Sequence, residues 1–361
     1  MRIGIIAHLK HAIREPFAGG LEMHTSLLQQ LLRQRGHEVT VFASSRSEPE
    51  SCVEAVCDET SLSEVGCDEA PDIAFFQEHH AYLKLMNGLR HRSFDIIHNN
   101  SLHYLPVAMA DALPMPMVTT LHTPPFAWLE SGIRLCDTPH ARFVAVSHSI
   151  GKTWSRVRPV ENVILNGIDL DRFRFEAQPS EKPYLIWYGR IVPEKGLHHA
   201  IAAASLIDAD LLIAGPISNP DYFAREVEPH LGERIRYLGH LSHDDLSKVV
   251  SRARAFICTP CWEEPYGLVI AEALASGVPV AAFARGAIPE ILHPDCGVLA
   301  DPDDVASLAK AALKAQTLDR HACRAHAERH CNAQRMIDEY EALYGEMLGA
   351  PHALLAEPCA A

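Results

Sequence analysis

Short apolar runs alternate with longer amphipathic stretches along almost the whole chain. Apolar runs bounded by Gly, Pro, Asn or Asp read as strands buried on both faces; stretches with apolar residues at i, i+3, i+4 and i+7 read as helices. In the first half this predicts strands at 2–7, 38–42, 95–98, 117–121, 142–146 and 162–165. The clearest helix runs from Gly20 to Arg35, with Leu21, Thr25, Leu28, Leu31 and Leu32 on one face. Arg33 and Arg35 lie in its last turn and Gly36 ends it. In the second half strands are predicted at 184–188, 211–214, 235–238, 255–258, 278–282 and 298–299, and residues 320–347 read as helical. Such alternation builds parallel α/β sheets. A chain of 361 residues is long enough for two of them in series. The join falls near Asn166–Pro183, where an Asn-Gly turn and a polar AQPSEKP stretch interrupt the pattern. This gives domains at 1–168 and 169–330, a helix at 331–349 and a loose tail at 350–361.

The net charge of −14 is shared by two acidic halves, which argues against nucleic acid as a partner and against a broad dock on anionic lipid. Lys84, Arg90 and Arg92, beside Leu83, Leu85, Met86 and Leu89, form one small basic cluster. It reads as a helix packing on its sheet, with weak membrane contact as the other reading. No apolar run reaches membrane length, and the N-terminus reads as a first strand rather than a leader. Ten cysteines without a secretion signal suggest reduced thiols and a cytoplasmic location. Cys258 and Cys261 form a Cys-x-x-Cys pair with no second pair at zinc-site spacing, so they read as core. Cys52, Cys57 and Cys67 lie in an acidic stretch that reads as irregular.

Chemistry concentrates in CWEEPYGLVIAEALASGVPV, Cys261–Val280. Glu264 falls on a loop with Pro265, Tyr266 and Gly267. A helix follows through Leu268, Ile270, Ala271 and Leu274, placing Glu272 about two turns in at ~3.6 residues per turn. The free N–H groups at Leu268 and Val269 can hold an anion such as a diphosphate. Upstream, YLIWYGRIVPEKGLHHAIAAA places Gly189 and Arg190 at a strand end, and Lys195 and Gly196 open a helix. Ligands in open α/β sheets bind beyond the carboxyl ends of strands, so both cations are placed to face a pyrophosphate. Two cations at a helix start are otherwise mildly unfavourable, which gives them a reason to be functional.

The two segments together resemble the signature of retaining glycosyltransferases of the GT-B fold, group 1 or family 4 in type, a family that includes sucrose synthases and bacterial mannosyltransferases. The resemblance implies two Rossmann-like domains facing across a cleft, with a terminal helix that crosses back to the first. It implies Glu264 at the donor sugar, where it stabilises positive charge near the anomeric carbon, and Glu272 on the ribose. It implies His122, at the end of the 117–121 strand, as a contact to the donor sugar. The glycine loop Gly19–Gly20 would close over phosphates or sugar. Gly215, His240 and Leu241 would flank the nucleotide base, and Ser147, otherwise a helix cap, would line the cleft. Glu290 in RGAIPEIL would serve mainly structure.

Other polar residues carry less. Glu22 and His24 follow the glycine loop and read equally well as ordinary surface residues. His98, Asn99, Asn100 and His103 follow a strand end and could hold an acceptor. The expected reaction is transfer of a sugar from a nucleotide diphosphate sugar to a glycan, lipid-linked or small-molecule acceptor, with retained anomeric configuration. No cofactor or metal is expected: the Asp-x-Asp spacings at 169–171 and 208–210 lie away from the phosphates. The alternatives are a GT-B-like nucleotide-sugar epimerase and a non-catalytic nucleotide-sugar-binding protein.

Overall fold

In a computed structural model, which describes residues 1–47, 52–57 and 73–349, the chain divides into two compact units. Unit 1 holds Met1–Ile164 and the chain from Gln334 onward; unit 2 holds Leu165–Ala333. The division falls at 164/165, slightly ahead of the boundary predicted from the turn chemistry.

Unit 1 is built on seven strands: β1 (Arg2–Ile6), β2 (Glu38–Ser44), β3 (Val53–Cys57), β4 (Ile96–Asn99), β5 (Met117–Leu121), β6 (Ala141–Ala145) and β7 (Asn162–Val163). Their order is β3-β2-β1-β4-β5-β6-β7, and every pairing is parallel. The central strands are sealed on both faces, so they read as continuous apolar runs. The acidic stretch read as irregular contributes β3 at the sheet edge. A half-exposed edge strand needs no apolar run, which is why the pattern hides it. Glu54 on β3 accepts from Arg92 Nη1 at 2.7 and 2.6 Å, and the Arg92 guanidinium lies over the Phe42 and Phe94 rings. Arg92 is therefore committed to the fold.

The helix Ala333–Met347 belongs to unit 1. Tyr344 and Tyr340 are fully buried there. Tyr344 OH bonds His98 Nδ1, Thr120 Oγ1 lies 2.8 Å from His98 Nε2, and Tyr340 OH lies 3.1 Å from Thr120 Oγ1. Arg35 reaches Glu341 Oε2 at 2.6 Å, and His37 Nε2 meets Glu341 Oε1 at 2.6 Å. So His98 docks this helix and does not hold an acceptor. The expected single helical stretch at 320–347 is two helices, Arg320–His330 and Ala333–Met347. It breaks where Ile168 bridges Asn332 and where a Cβ on Gly167 would stand 2.4 Å from Ala333 Cα.

Unit 2 carries β8 (Leu185–Tyr188), β9 (Leu211–Ala214), β10 (Ile235–Tyr237), β11 (Ala255–Cys258), β12 (Val280–Phe283) and β13 (Gly297–Ala300). The order is β10-β9-β8-β11-β12-β13, again parallel throughout. Trp187, Ile213, Ile257 and Phe283 from the sheet pack with Leu197, Ile201 and Leu308 from its helices. Both units thus have the doubly wound, Rossmann-like order expected. The order reverses between β1 and β4 in one unit and between β8 and β11 in the other, and such reversals open a crevice at the strands' carboxyl ends. Cys67 and the tail from residue 350 lie outside the described residues.

Tyr344→Phe leaves His98 Nδ1, fully buried, without its hydroxyl partner. An orphaned buried polar atom costs about 1–3 kcal/mol. We expect a lower urea midpoint with an unchanged slope.

Candidate active site

The reversal in unit 2 is assembled by close backbone contacts. Gly189 (φ +149°) follows β8, and a Cβ on Gly215 (φ +138°), after β9, would stand 1.9 Å from Gly189 O. Pro193–Lys195 form a single 3-10 turn, and Gly196 (φ +64°) starts the helix Leu197–Leu206. A Cβ on Gly196 would stand 2.0 Å from Thr259 O, so only glycine lets this turn meet the end of β11. Thr259 Oγ1 donates to Lys195 O at 3.1 Å and accepts from Trp187 Nε1 at 3.1 Å. The Cys261 N–H donates to Glu194 O at 2.8 Å.

These contacts bring Lys195 to Glu264. Lys195 Nζ donates to Glu264 Oε2 at 2.7 Å, Trp262 Nε1 donates to the same oxygen at 3.0 Å, and the ammonium lies 5.1 Å from the Trp262 ring centroid. Glu264 is 9% exposed. Its backbone rests on the RGAIPEIL segment: Ala287 N–H donates to Glu264 O at 2.8 Å, and Gly286 N–H donates to Glu263 Oε2 at 2.7 Å. A Cβ on Gly286 (φ +58°) would stand 2.2 Å from Glu264 O. That segment's contribution is this seat; Glu290 lies exposed on its short helix Ile288–Ile291.

The helix Leu268–Ala275 starts at Gly267 (φ +98°), with no side chain capping its first N–H groups. Tyr266 is buried just before it. Counted from Leu268, the first residue of the helix, Glu272 lies about one turn in, not two. Glu272 is 9% exposed, and burial raises its carboxyl from 4.5 to about 7. The nearby Tyr188 hydroxyl, which donates to Val269 O at 2.6 Å, and the charge of Arg172 work against that rise. Arg190 is exposed beside Gly189, with no ion-pair partner among the described residues. Gly215 N–H donates to Gly239 O at 2.9 Å and Tyr237 OH donates to Gly215 O at 2.8 Å, so Gly215 adjoins the loop bearing exposed His240 and half-buried Leu241. The two Asp-x-Asp spacings have other uses: Asp208 and Asp210 both pair with Arg234, and Asp169 caps the turn Leu170–Arg172.

In unit 1, Gly19 precedes the helix Gly20–Gln34 in extended conformation. Glu22 and His24 on that helix are buried, not on the surface. Burial alone would raise the Glu22 carboxyl, but the hydrogen bond and charge of His8 bring it below its ordinary value. The His24 ring meets the His122 ring edge-on, centroids 4.9 Å apart. His122 Nε2 lies 2.9 Å from Asn100 Oδ1. Burial pushes His24 down to about 4 and, with His24 beside it, lowers His122 well below its ordinary value. Both rings are neutral at physiological pH. Both nitrogens of His24, together with Asn100 Nδ2, are buried without a hydrogen-bond partner in the protein. Buried polar atoms without a protein partner are left for water or a ligand to satisfy. His24 had no signal in the sequence, since helical spacing alone cannot show a face covered by another loop. His103 caps the helix Tyr104–Ala108, accepting from Leu105 N–H at 3.2 Å, and Ser147 caps His148–Trp154.

Two measurements check this geometry. Gly286→Ala displaces the Glu264 backbone, and misplacement by about 1 Å costs on the order of 100-fold in kcat; circular dichroism should show the fold intact. Glu272→Gln removes a buried carboxyl whose proton affinity rises on folding. The native state binds the extra proton between pH 4.5 and about 7, so Glu272 subtracts progressively more stability as pH rises through that window. The melting temperature of Glu272→Gln relative to the parent should therefore increase from pH 5 to 8.

Residues 170–330 match the family model described as glycosyl transferases group 1, and residues 18–172 match that described as Glycosyltransferase Family 4. The chain is 28% identical over 369 residues to a glycogen synthase of Mycobacterium tuberculosis, covering 90% of this chain and 88% of that one. It is 27% identical over 348 residues to a phosphatidyl-myo-inositol mannosyltransferase of Propionibacterium freudenreichii, covering 86% and 84%. Among solved structures it is similar to sucrose-phosphate synthase from Thermosynechococcus elongatus (TM-score 0.80, 19% identity, 97% of this chain and 100% of that one). It is also similar to an Anabaena protein solved in complex with UDP-glucose (TM-score 0.72, 18% identity, 95% and 99%). At such identities the solved structures establish the GT-B fold alone.

Proposed function

The chain belongs to the glycosyltransferases of group 1 and family 4, and from that membership we propose that it moves a hexosyl unit from a nucleoside diphosphate sugar to a saccharide, lipid-linked or small-molecule hydroxyl, with retained configuration and without a metal ion. The observation that carries this reading is the Lys195–Glu264 pair at the β8/β11 reversal, beside an uncapped helix start. A cation and free N–H groups suit a diphosphate; a shielded carboxylate suits a sugar.

The roles follow from the chemistry of each group. Lys195, Arg190 and the N–H groups at Leu268 and Val269 take up the charge of the departing diphosphate. Glu264 accepts from donor-sugar hydroxyls and stabilises positive charge at the anomeric carbon. Glu272 accepts from the ribose hydroxyls. Gly215, His240 and Leu241 border the base, chiefly through backbone. In unit 1, neutral His122 offers a hydrogen bond to a sugar hydroxyl, and Gly19 and Gly20 admit the substrate's close approach. The bond from the anomeric carbon to the phosphate oxygen breaks, the acceptor oxygen bonds that carbon on the same face, and the acceptor proton passes to the leaving phosphate.

Metal independence is supported by the aspartates: Asp208 and Asp210 are held by Arg234. A cytoplasmic location is supported by free thiols at Cys136, Cys258, Cys296, Cys323 and Cys331, all buried. No helix among the described residues is long and apolar enough to cross a membrane.

The test combines chelator with product analysis. Turnover should persist in excess chelator, proton NMR of the product should show the donor's anomeric configuration, and Glu264→Ala should lower kcat strongly. Activity lost in chelator and restored by magnesium or manganese would remove the metal-free mechanism. An inverted product would remove retention.

A further inference from the structure

His198 and His199, early in the helix that follows Lys195, lie against Cys261, in the loop that follows β11. Their ligand atoms all fall within 4.8 Å of one another, and all three residues are half-buried. The cluster is held from outside. Tyr222 OH lies 2.8 Å from His198 Nδ1 and accepts from the His198 backbone N–H at 3.2 Å, which leaves Nε2 as the ring's other donor atom. Gly196 brings the helix start against the thiol: a Cβ there would stand 2.9 Å from Cys261 Sγ. His199 Nε2 stands 3.6 Å from Asp303 Oδ1, so a carboxylate oxygen is at the margin of the cluster.

We propose that His198, His199 and Cys261 form a binding site for a thiophilic divalent cation of the zinc type. Two imidazoles and a thiolate are a donor set that zinc takes in tetrahedral sites, with a water or the Asp303 carboxylate as fourth ligand. On binding, the Cys261 thiol gives its proton to solvent and its sulfur bonds the metal; no oxidation is involved. Tyr222 supplies the outer hydrogen bond that orients a ligating imidazole. The ligands come from two segments far apart in sequence, one bearing Lys195 and the other Glu264. The ion therefore clamps together the two halves of the anion site without contributing a group to sugar transfer. This separates it from the metal-free chemistry proposed above: chelation lowers the stability of the helix–loop contact, while the Lys195–Glu264 hydrogen bond and the close contacts at Gly196 and Gly286 still hold the reacting groups.

The chain has 22 histidines, so metal uptake alone would not locate the site. Chelator-stripped, full-length protein is titrated with zinc against a chromophoric competitor, and separately with cobalt(II), whose thiolate complexes show a near-ultraviolet charge-transfer band. The site predicts one tight equivalent of zinc, a rise in melting temperature and the cobalt–thiolate band. Cys261→Ser and His199→Ala should each abolish the band and the rise while keeping native circular dichroism. Tyr222→Phe should weaken zinc affinity about 10-fold. No cobalt–thiolate band in the parent protein would overturn the proposal. So would a band and a temperature rise that survive in His199→Ala or Cys261→Ser.

Discussion

A lysine and a glutamate sixty-nine positions apart share a hydrogen bond of 2.7 Å in a half-buried crevice, and most of unit 2's local structure serves that meeting. Neither side chain could reach the other if the backbones carrying them were kept at ordinary side-chain distance. Gly196 removes the Cβ that would strike Thr259, and Gly286 removes the Cβ that would strike Glu264. Both glycines also have positive φ, so any other residue there would carry strain as well as a clash. Partial shielding from water strengthens the pair's attraction, and Trp262 adds a donor to the carboxylate and a ring face to the ammonium.

On the proposed function, the pair also explains how a binding site for a diphosphate could stand ready without its ligand. An unpaired ammonium in a half-buried crevice is costly, and Glu264 neutralises it. Phosphate oxygens bound there, as proposed, would compete with that carboxylate for the same donor. In unit 1 the same problem is met differently. Burial keeps His24, His98 and His122 neutral, so they act as hydrogen-bonding groups without a charge to shield. His98 spends its capacity on Tyr344 and Thr120, docking the last helix. His24 spends none of it, and with Asn100 Nδ2 it leaves polar atoms unpaired beside His122.

Much of this was legible in the chain. The apolar runs located the central strands, because strands sealed on both faces must be apolar throughout. Gly189, Lys195, Glu264 and Gly267 stood out because the two segments that carry them together resemble the family's signature. Other features were not legible, for stated physical reasons. Edge strand β3 needs no apolar run. Neither the docking role of His98 nor the burial of His24 could be read from local spacing, because both depend on residues distant in the chain. Cys261 looked like half of a Cys-x-x-Cys pair, yet its neighbours in space are His198 and His199, while Cys258 is buried in the sheet.

The most direct measurement is calorimetric titration of a nucleoside diphosphate into Glu264→Gln and Lys195→Met, compared with the parent protein. If Glu264 holds Lys195 in waiting for phosphate, Glu264→Gln frees the ammonium and binds the diphosphate more tightly, while Lys195→Met binds it more weakly. If both substitutions weaken binding alike, or neither changes it, the ion pair is only a structural contact and the anion site lies elsewhere.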